Sequence, residues 1–205
     1  SYETIMDDIS LFMEVARKRH PGLPFFLYGH SMGGNLVLNY LIRYGPPVAG
    51  AVVTSPWFRL NLKPPFFKLI LAILANRVFP SLTQPDGIIP AFLSHDEEVG
   101  RRYTADPLVH KRISVRTFLE ISRAGEYAIK HAGQLGCQFL LMHGTDDQLT
   151  SFQASREFSE KMVVPHAFKA WEGLYHELHN EFEKETVLGF IKDWIGRRIA
   201  SNAKF

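Results

Sequence analysis

One cysteine, Cys137, stands in a chain of 205 residues. A framework of internal disulfides is thereby excluded, and a reducing compartment fits, so a cytoplasmic location is expected. Cys137 falls in an apolar run, where a lone thiol packs as a small hydrophobe. No apolar stretch reaches the ~20 residues that a bilayer-spanning helix needs. Charge of one sign is lacking too: 23 basic against 21 acidic residues leave a net +2. The basic runs Arg17-Lys18-Arg19 and Arg197-Arg198 lie near expected helix ends, where they complement the helix dipole. Nothing in this balance argues for a nucleic-acid partner. Internal repeats and low-complexity segments are absent as well.

What is present suits one domain with an inserted sub-domain, at an ordinary apolar content of 46%. Residues 3–19 carry Ile5, Ile9, Phe12, Met13 and Ala16 at helical spacing, with Ser1 or Thr4 as the cap. His20-Pro21-Gly22-Leu23-Pro24 ends that helix. Phe25 to Tyr28 is wholly apolar and reads as a parallel strand covered on both faces. The turn Gly29-His30-Ser31-Met32-Gly33 follows, and a helix runs from about Gly33 to Arg43 until Gly45-Pro46-Pro47 stops it. Val48 to Thr54 is a second apolar strand, completing a right-handed strand–helix–strand unit of a parallel sheet.

From Trp57 the pattern changes. Residues 57–124 are rich in proline, poor in strand-like runs and largely helical, and read as a helical cap inserted over the strand ends. Within it, segment 66–79 is apolar nearly all round, at about 21 Å too short to cross a membrane. It reads either as an exposed apolar helix or as a helix buried under the cap. Ser114 to His131 is helical. The sheet pattern then resumes with a strand from Cys137 to Met142, a helix from Ser151 to Met162 and a strand from Ala167 to Trp171. A closing helix, 180–200, places Phe182, Val187, Phe190, Ile191 and Trp194 on one face. The parallel-sheet core is therefore expected over 1–56 and 125–205.

Three reactive groups fall at corresponding places: Ser31, Asp146 or Asp147, and His176. Each follows an expected parallel strand at its C-terminal end, where open α/β sheets build their sites. The turn reads G-x-S-x-G, which lifts a serine onto a strained strand-to-helix elbow. Close backbone approach would make a Cβ at either Gly29 or Gly33 clash. Serine is a poor nucleophile at neutral pH, so a histidine must take its proton and an aspartate must orient that histidine. The backbone N–H after the nucleophile, that of Met32, is the first oxyanion donor such a site uses. The pair His176 and His179 lacks the H-E-x-x-H spacing of a zinc site, and no metal is expected.

Gly29-His30-Ser31-Met32-Gly33-Gly34, His143-Gly144-Thr145-Asp146-Asp147 and the run from Glu172 through His176 to Glu181 together resemble the monoacylglycerol lipase and lysophospholipase branch of the α/β hydrolases. Arg19-His20-Pro21-Gly22-Leu23-Pro24 and Asp106-Pro107-Leu108-Val109 resemble it too, and the likeness runs over essentially the whole chain. It implies an α/β-hydrolase fold with a helical cap. It also implies cleavage of carboxylic esters of lipid-like substrates through an acyl-enzyme, with no metal or organic cofactor. Within the family's G-T-x-D segment the acid falls on Asp147, leaving Asp146 a bystander, and His176 is selected over His179. His30 and Leu174 are the expected substrate contacts, and the cap is expected to meet a membrane or micelle through 66–79.

The family's sheet begins with strands that would precede Ser1, so the sheet reads as N-terminally truncated. Two expectations follow. The second oxyanion donor, from a loop after an earlier strand, has no candidate residue. Strand 25–29 becomes an apolar edge, expected to pair with a second copy in a homo-oligomer or with the missing N-terminal segment. The same triad also serves acyltransferases, thioesterases and peptidases. The remaining alternative is a catalytically impaired hydrolase that acts as a binding or interaction module.

Overall fold

The computed structural model describes residues 1–62 and 65–202. Four parallel strands form its sheet: β1 (Phe26–His30), β2 (Gly50–Thr54), β5 (Phe139–Gly144) and β6 (Ala167–Trp171), ordered β1-β2-β5-β6. Phe26 pairs with Gly50, Ala51 with Phe139 and Leu140 with Ala167, so the strand ends that follow His30, Thr54, Gly144 and Trp171 lie along one rim. Every residue of β2 and β5 is buried, which explains their unbroken apolar sequences. Cys137, half-buried, sits just ahead of β5 at the opposite end of the sheet.

β1 departs from the expected strand in one respect. It is not covered on both faces, because Tyr28 is 51% exposed, and among the described residues it pairs only with β2. It lies at an edge, where one face loses the layer that buries a central strand.

Helices cover the sheet on both sides. On one side α2 (Met32–Tyr44), α5 (Val115–Lys130) and α6 (Phe152–Glu160) bury Leu38, Leu41, Ile129 and Phe158 against Val53, Phe139 and Leu141. On the other, α7 (Lys184–Asn202) packs Val187 and Trp194 on Val52, Leu140 and Met142. α7 begins at Lys184 rather than 180: Phe182, expected on its apolar face, is exposed, whereas the neighbouring Glu181 is buried. α1 (Tyr2–Arg19), capped by the Ser1 hydroxyl accepting from Thr4 N–H, packs Tyr2, Met6 and Met13 near Tyr40, Ile121 and Ala124.

Between β2 and β5 lie α3 (Phe66–Val78), a two-stranded antiparallel ribbon of β3 (Thr83–Pro85) and β4 (Arg112–Ser114), and α4 (Glu97–Ala105) before α5. α5 crosses the boundary placed at residue 124, and Asn39 Nδ2 ties it to α2 by donating to Ala124 O at 3.0 Å. α3 contains no buried residue, so the expectation of a helix hidden under the cap fails. It runs beside α5 with Leu69, Ala72 and Ala75 only half-buried, and Phe66 is 76% exposed. Among the described residues no helix is long and apolar enough to cross a membrane.

Candidate active site

Ser31 stands between β1 and α2 with φ 53° and ψ −118°, a conformation non-glycine residues rarely adopt. Such a residue costs about 1–3 kcal/mol and persists only where its surroundings over-determine it. Here its N–H donates to Thr54 O at 3.0 Å, and its carbonyl accepts from Trp57 N–H at 2.9 Å and Asn35 N–H at 3.1 Å. Asn35, fully buried, donates through Nδ2 to Trp57 O and Ile121 O and accepts at Oδ1 from the Tyr2 hydroxyl. The serine hydroxyl does not cap α2 and, among the described residues, is not hydrogen-bonded to His176.

The glycine requirement differs from the one expected. A Cβ on Gly29 would lie 2.5 Å from Gly33 O, which only glycine avoids. A Cβ on Gly33 would meet nothing within 4 Å, because that position faces open space. The second close approach belongs to Gly34, whose Cβ would sit 3.0 Å from both Pro56 Cβ and Val53 Cγ1.

Asp147 and His176 follow β5 and β6. His176 Nδ1 lies 2.7 Å from Asp147 Oδ2, and both side chains are almost wholly buried. Since a carboxylate only accepts, Nδ1 carries the proton and Nε2 remains for a substrate or for Ser31. Asp146 is exposed and meets Thr145 Oγ1, so of the two aspartates only Asp147 reaches the histidine. The Asp147 carboxylate is held on all sides. Oδ1 accepts from Leu149 N–H and Thr150 N–H, and Oδ2 also accepts from Thr150 Oγ1 at 2.8 Å and His143 Nε2 at 3.0 Å. Burial alone would raise its pKa, but the hydrogen bonds from His143 and His176 overcome that and hold it far below the usual carboxylate range. The His176 carbonyl is fixed by the Ser55 hydroxyl at 2.8 Å, from the end of β2.

His30 brings the serine end and the histidine end together. Its ring centroid lies 4.7 Å from that of His176 and 4.9 Å from that of His179, and its Nδ1 meets Thr54 Oγ1 at 3.0 Å. Burial first, then the neighbouring His176 and His179, lower its pKa well below the ordinary value, so it packs as a neutral ring. Leu174, expected to touch substrate, instead packs in the core with Leu140, Met142 and Leu178, its carbonyl accepting from Asp146 N–H. Met32, half-exposed, opens α2, where helix geometry leaves its N–H without an intrahelical partner.

His143, Thr150 and Ser55 were not singled out in the sequence. His143 is fully buried, its Nδ1 2.7 Å from the Ser155 hydroxyl, and its Nε2 reaches the same Asp147 oxygen that takes His176 Nδ1. Its sequence signals were its place at the head of the His143–Asp147 segment and its spacing four residues before Asp147, which becomes a contact once the loop turns. Among the described residues no group of three or more histidine, cysteine or acidic side chains is arranged to hold a metal ion.

Comparison with known proteins agrees with this geometry. A family model described as "Serine aminopeptidase, S33" matches residues 1–183. An uncharacterized abhydrolase domain-containing protein of Dictyostelium discoideum is 37% identical over the whole chain, which spans 22% of that relative. The monoglyceride lipase of Homo sapiens is 28% identical over 98% of the chain and 67% of its own length. The crystal structure of the monoacylglycerol lipase of Paleococcus ferrophilus superposes with a TM-score of 0.89 at 31% identity, over 97% of this chain and 76% of that one. The chain belongs to the serine aminopeptidase S33 family of α/β hydrolases, in its monoacylglycerol lipase branch.

Proposed function

We propose that the protein is a serine carboxylic-ester hydrolase for lipid-like acyl esters of the monoacylglycerol or lysophospholipid kind. The observation that carries this reading is the 2.7 Å bond from His176 Nδ1 to Asp147 Oδ2, formed on the same sheet rim as a serine held at positive φ. Ser31 Oγ attacks the acyl carbonyl carbon while His176 Nε2 takes its proton. Asp147 keeps the imidazole in the required tautomer and stabilises its protonated form. The oxyanion of the tetrahedral intermediate takes a hydrogen bond from Met32 N–H, at the positive end of the α2 dipole. His176 then gives its proton to the departing alcohol. Water, deprotonated by the same nitrogen, releases the fatty acid and restores Ser31.

The substrate class rests on two supports. Relatives named as monoacylglycerol lipases align over nearly the whole chain. The exposed apolar helix α3 suits contact with an acyl chain or a lipid surface. We propose further that the outer edge of β1 takes up another strand, from a second copy or from a preceding stretch of polypeptide.

The test is hydrolysis of medium-chain p-nitrophenyl and glyceryl esters by the parent and by Ser31→Ala. Turnover should fall by about 10⁶ on removal of the nucleophile, leaving only residual catalysis. Hydrolysis undiminished in Ser31→Ala would discard the mechanism.

A further inference from the structure

We propose that Glu181 is a positioning residue for His176, fixing the loop that carries the histidine against the insertion between β2 and β5. The proposal rests on His176 being the general base described above. Glu181 lies between the 3₁₀ turn Leu178–Asn180 and α7, and its side chain is 0% exposed. A carboxylate removed from water is costly unless its oxygens are fully engaged. Here each oxygen has two main donors. Oε1 accepts from Tyr175 N–H at 2.7 Å and His95 Nδ1 at 3.1 Å. Oε2 accepts from His95 N–H at 2.9 Å and the Ser94 hydroxyl at 3.0 Å.

These donors come from two places. Tyr175 immediately precedes His176, whereas Ser94 and His95 belong to the segment leading into α4. The two segments meet again on the far side of the histidine, where Glu177 N–H donates to Leu93 O at 2.7 Å. The His95 ring also stacks on Tyr175, centroids 3.7 Å apart. His176 is therefore anchored through both sequence neighbours to residues 93–95, and Glu181 supplies the anchor on the N-terminal side. The Asp147 bond sets the tilt of the imidazole; the anchors set where the loop stands relative to Ser31, which rides on a different element.

The chemistry of the pocket requires a carboxylate of this length. Fixed backbone donors, Tyr175 N–H and His95 N–H, face the two oxygens separately. Glutamine must turn its NH₂ toward one of them. Being buried and bonded to backbone, Glu181 has no surface to offer a substrate. Its loss should therefore appear in the chemical step rather than in binding.

The full chain and Glu181→Gln are compared on a short-chain p-nitrophenyl ester, with circular dichroism and melting to confirm the fold. A misplaced base should lower kcat by about 10- to 100-fold with KM changed less than about twofold. Labelling of Ser31 by a fluorophosphonate should slow by the same factor. A parent-like kcat, or a rise in KM alone, overturns the proposal. Should Glu181→Gln not fold, His95→Phe keeps the stack on Tyr175 and removes only the Nδ1 bond. A fall in kcat of about three- to tenfold is then expected, and an unchanged kcat overturns it. A parent that the probe does not label at Ser31 overturns the hydrolase reading itself, and this proposal with it. A labelled parent with Glu181→Gln labelled equally fast overturns the positioning role alone.

Discussion

Asp147 receives hydrogen bonds from two imidazoles, and this decides how it titrates. Burial opposes its charge, yet the bonds from His143 and His176 hold its folded pKa below the value of about 3.9 for a free aspartate. A depressed pKa means that the ionised group stabilises the fold at every pH above the unfolded value. That contribution fades as pH falls from there toward the folded one. Asp147 thus stays charged throughout the working range, and the acid limb of a pH–rate profile belongs to another group. Asp147→Asn should cut kcat by about 10⁴ by spoiling the tautomer of His176. It should also move the acid-unfolding midpoint to higher pH, read by fluorescence. A loss below tenfold would argue against this carboxylate as the orienting acid. From residues alone Asp146 and Asp147 were inseparable, because both follow the same strand; the turn that points one inward is a three-dimensional fact. Gly34 was missed for a related reason, since its neighbour Pro56 lies beyond the next strand.

At the scale of elements, the two central strands and the helices around them were legible, because apolar runs and helical spacing reported burial directly. α3 was legible as a helix but not as a surface: apolar on every side, it offers no periodicity to tell outside from inside. The three-residue strands β3 and β4 and the charged helix α4 carry too little apolar pattern to announce themselves. Exposure gives α3 a testable role. Leu71 and Leu74 are more than half exposed. Each leucine moved into lipid contributes about 1.5–3 kcal/mol, at least tenfold in partition. Leu71→Glu with Leu74→Glu should weaken co-sedimentation with phospholipid vesicles by about 10²-fold or more. Turnover of a soluble short-chain ester should stay at the parent level. Vesicle binding equal to the parent's would remove α3 from the lipid contact.

For the molecule as a whole, parallel pairing gathers Ser31, Asp147 and His176 on one rim, a layout expected because each follows a parallel strand. The asymmetry of the sheet has its own consequence. β1 offers an outer edge with Tyr28 exposed, and unpaired strand edges recruit further strands. Sedimentation velocity should show association that grows with concentration and that Tyr28→Lys reduces, since an edge lysine discourages pairing. A monomer at every concentration would dismiss self-pairing.

The single cysteine has a practical bearing on all of this. Cys137 lies ahead of β5, and the site lies beyond its other end, about 20 Å away for a strand of 6 residues. Burial pushes its thiol up to about 11, so at neutral pH almost none is thiolate and maleimides react with it slowly. A Leu71→Cys probe on α3 would therefore take a fluorophore first, on the native background, and report whether that helix docks on lipid.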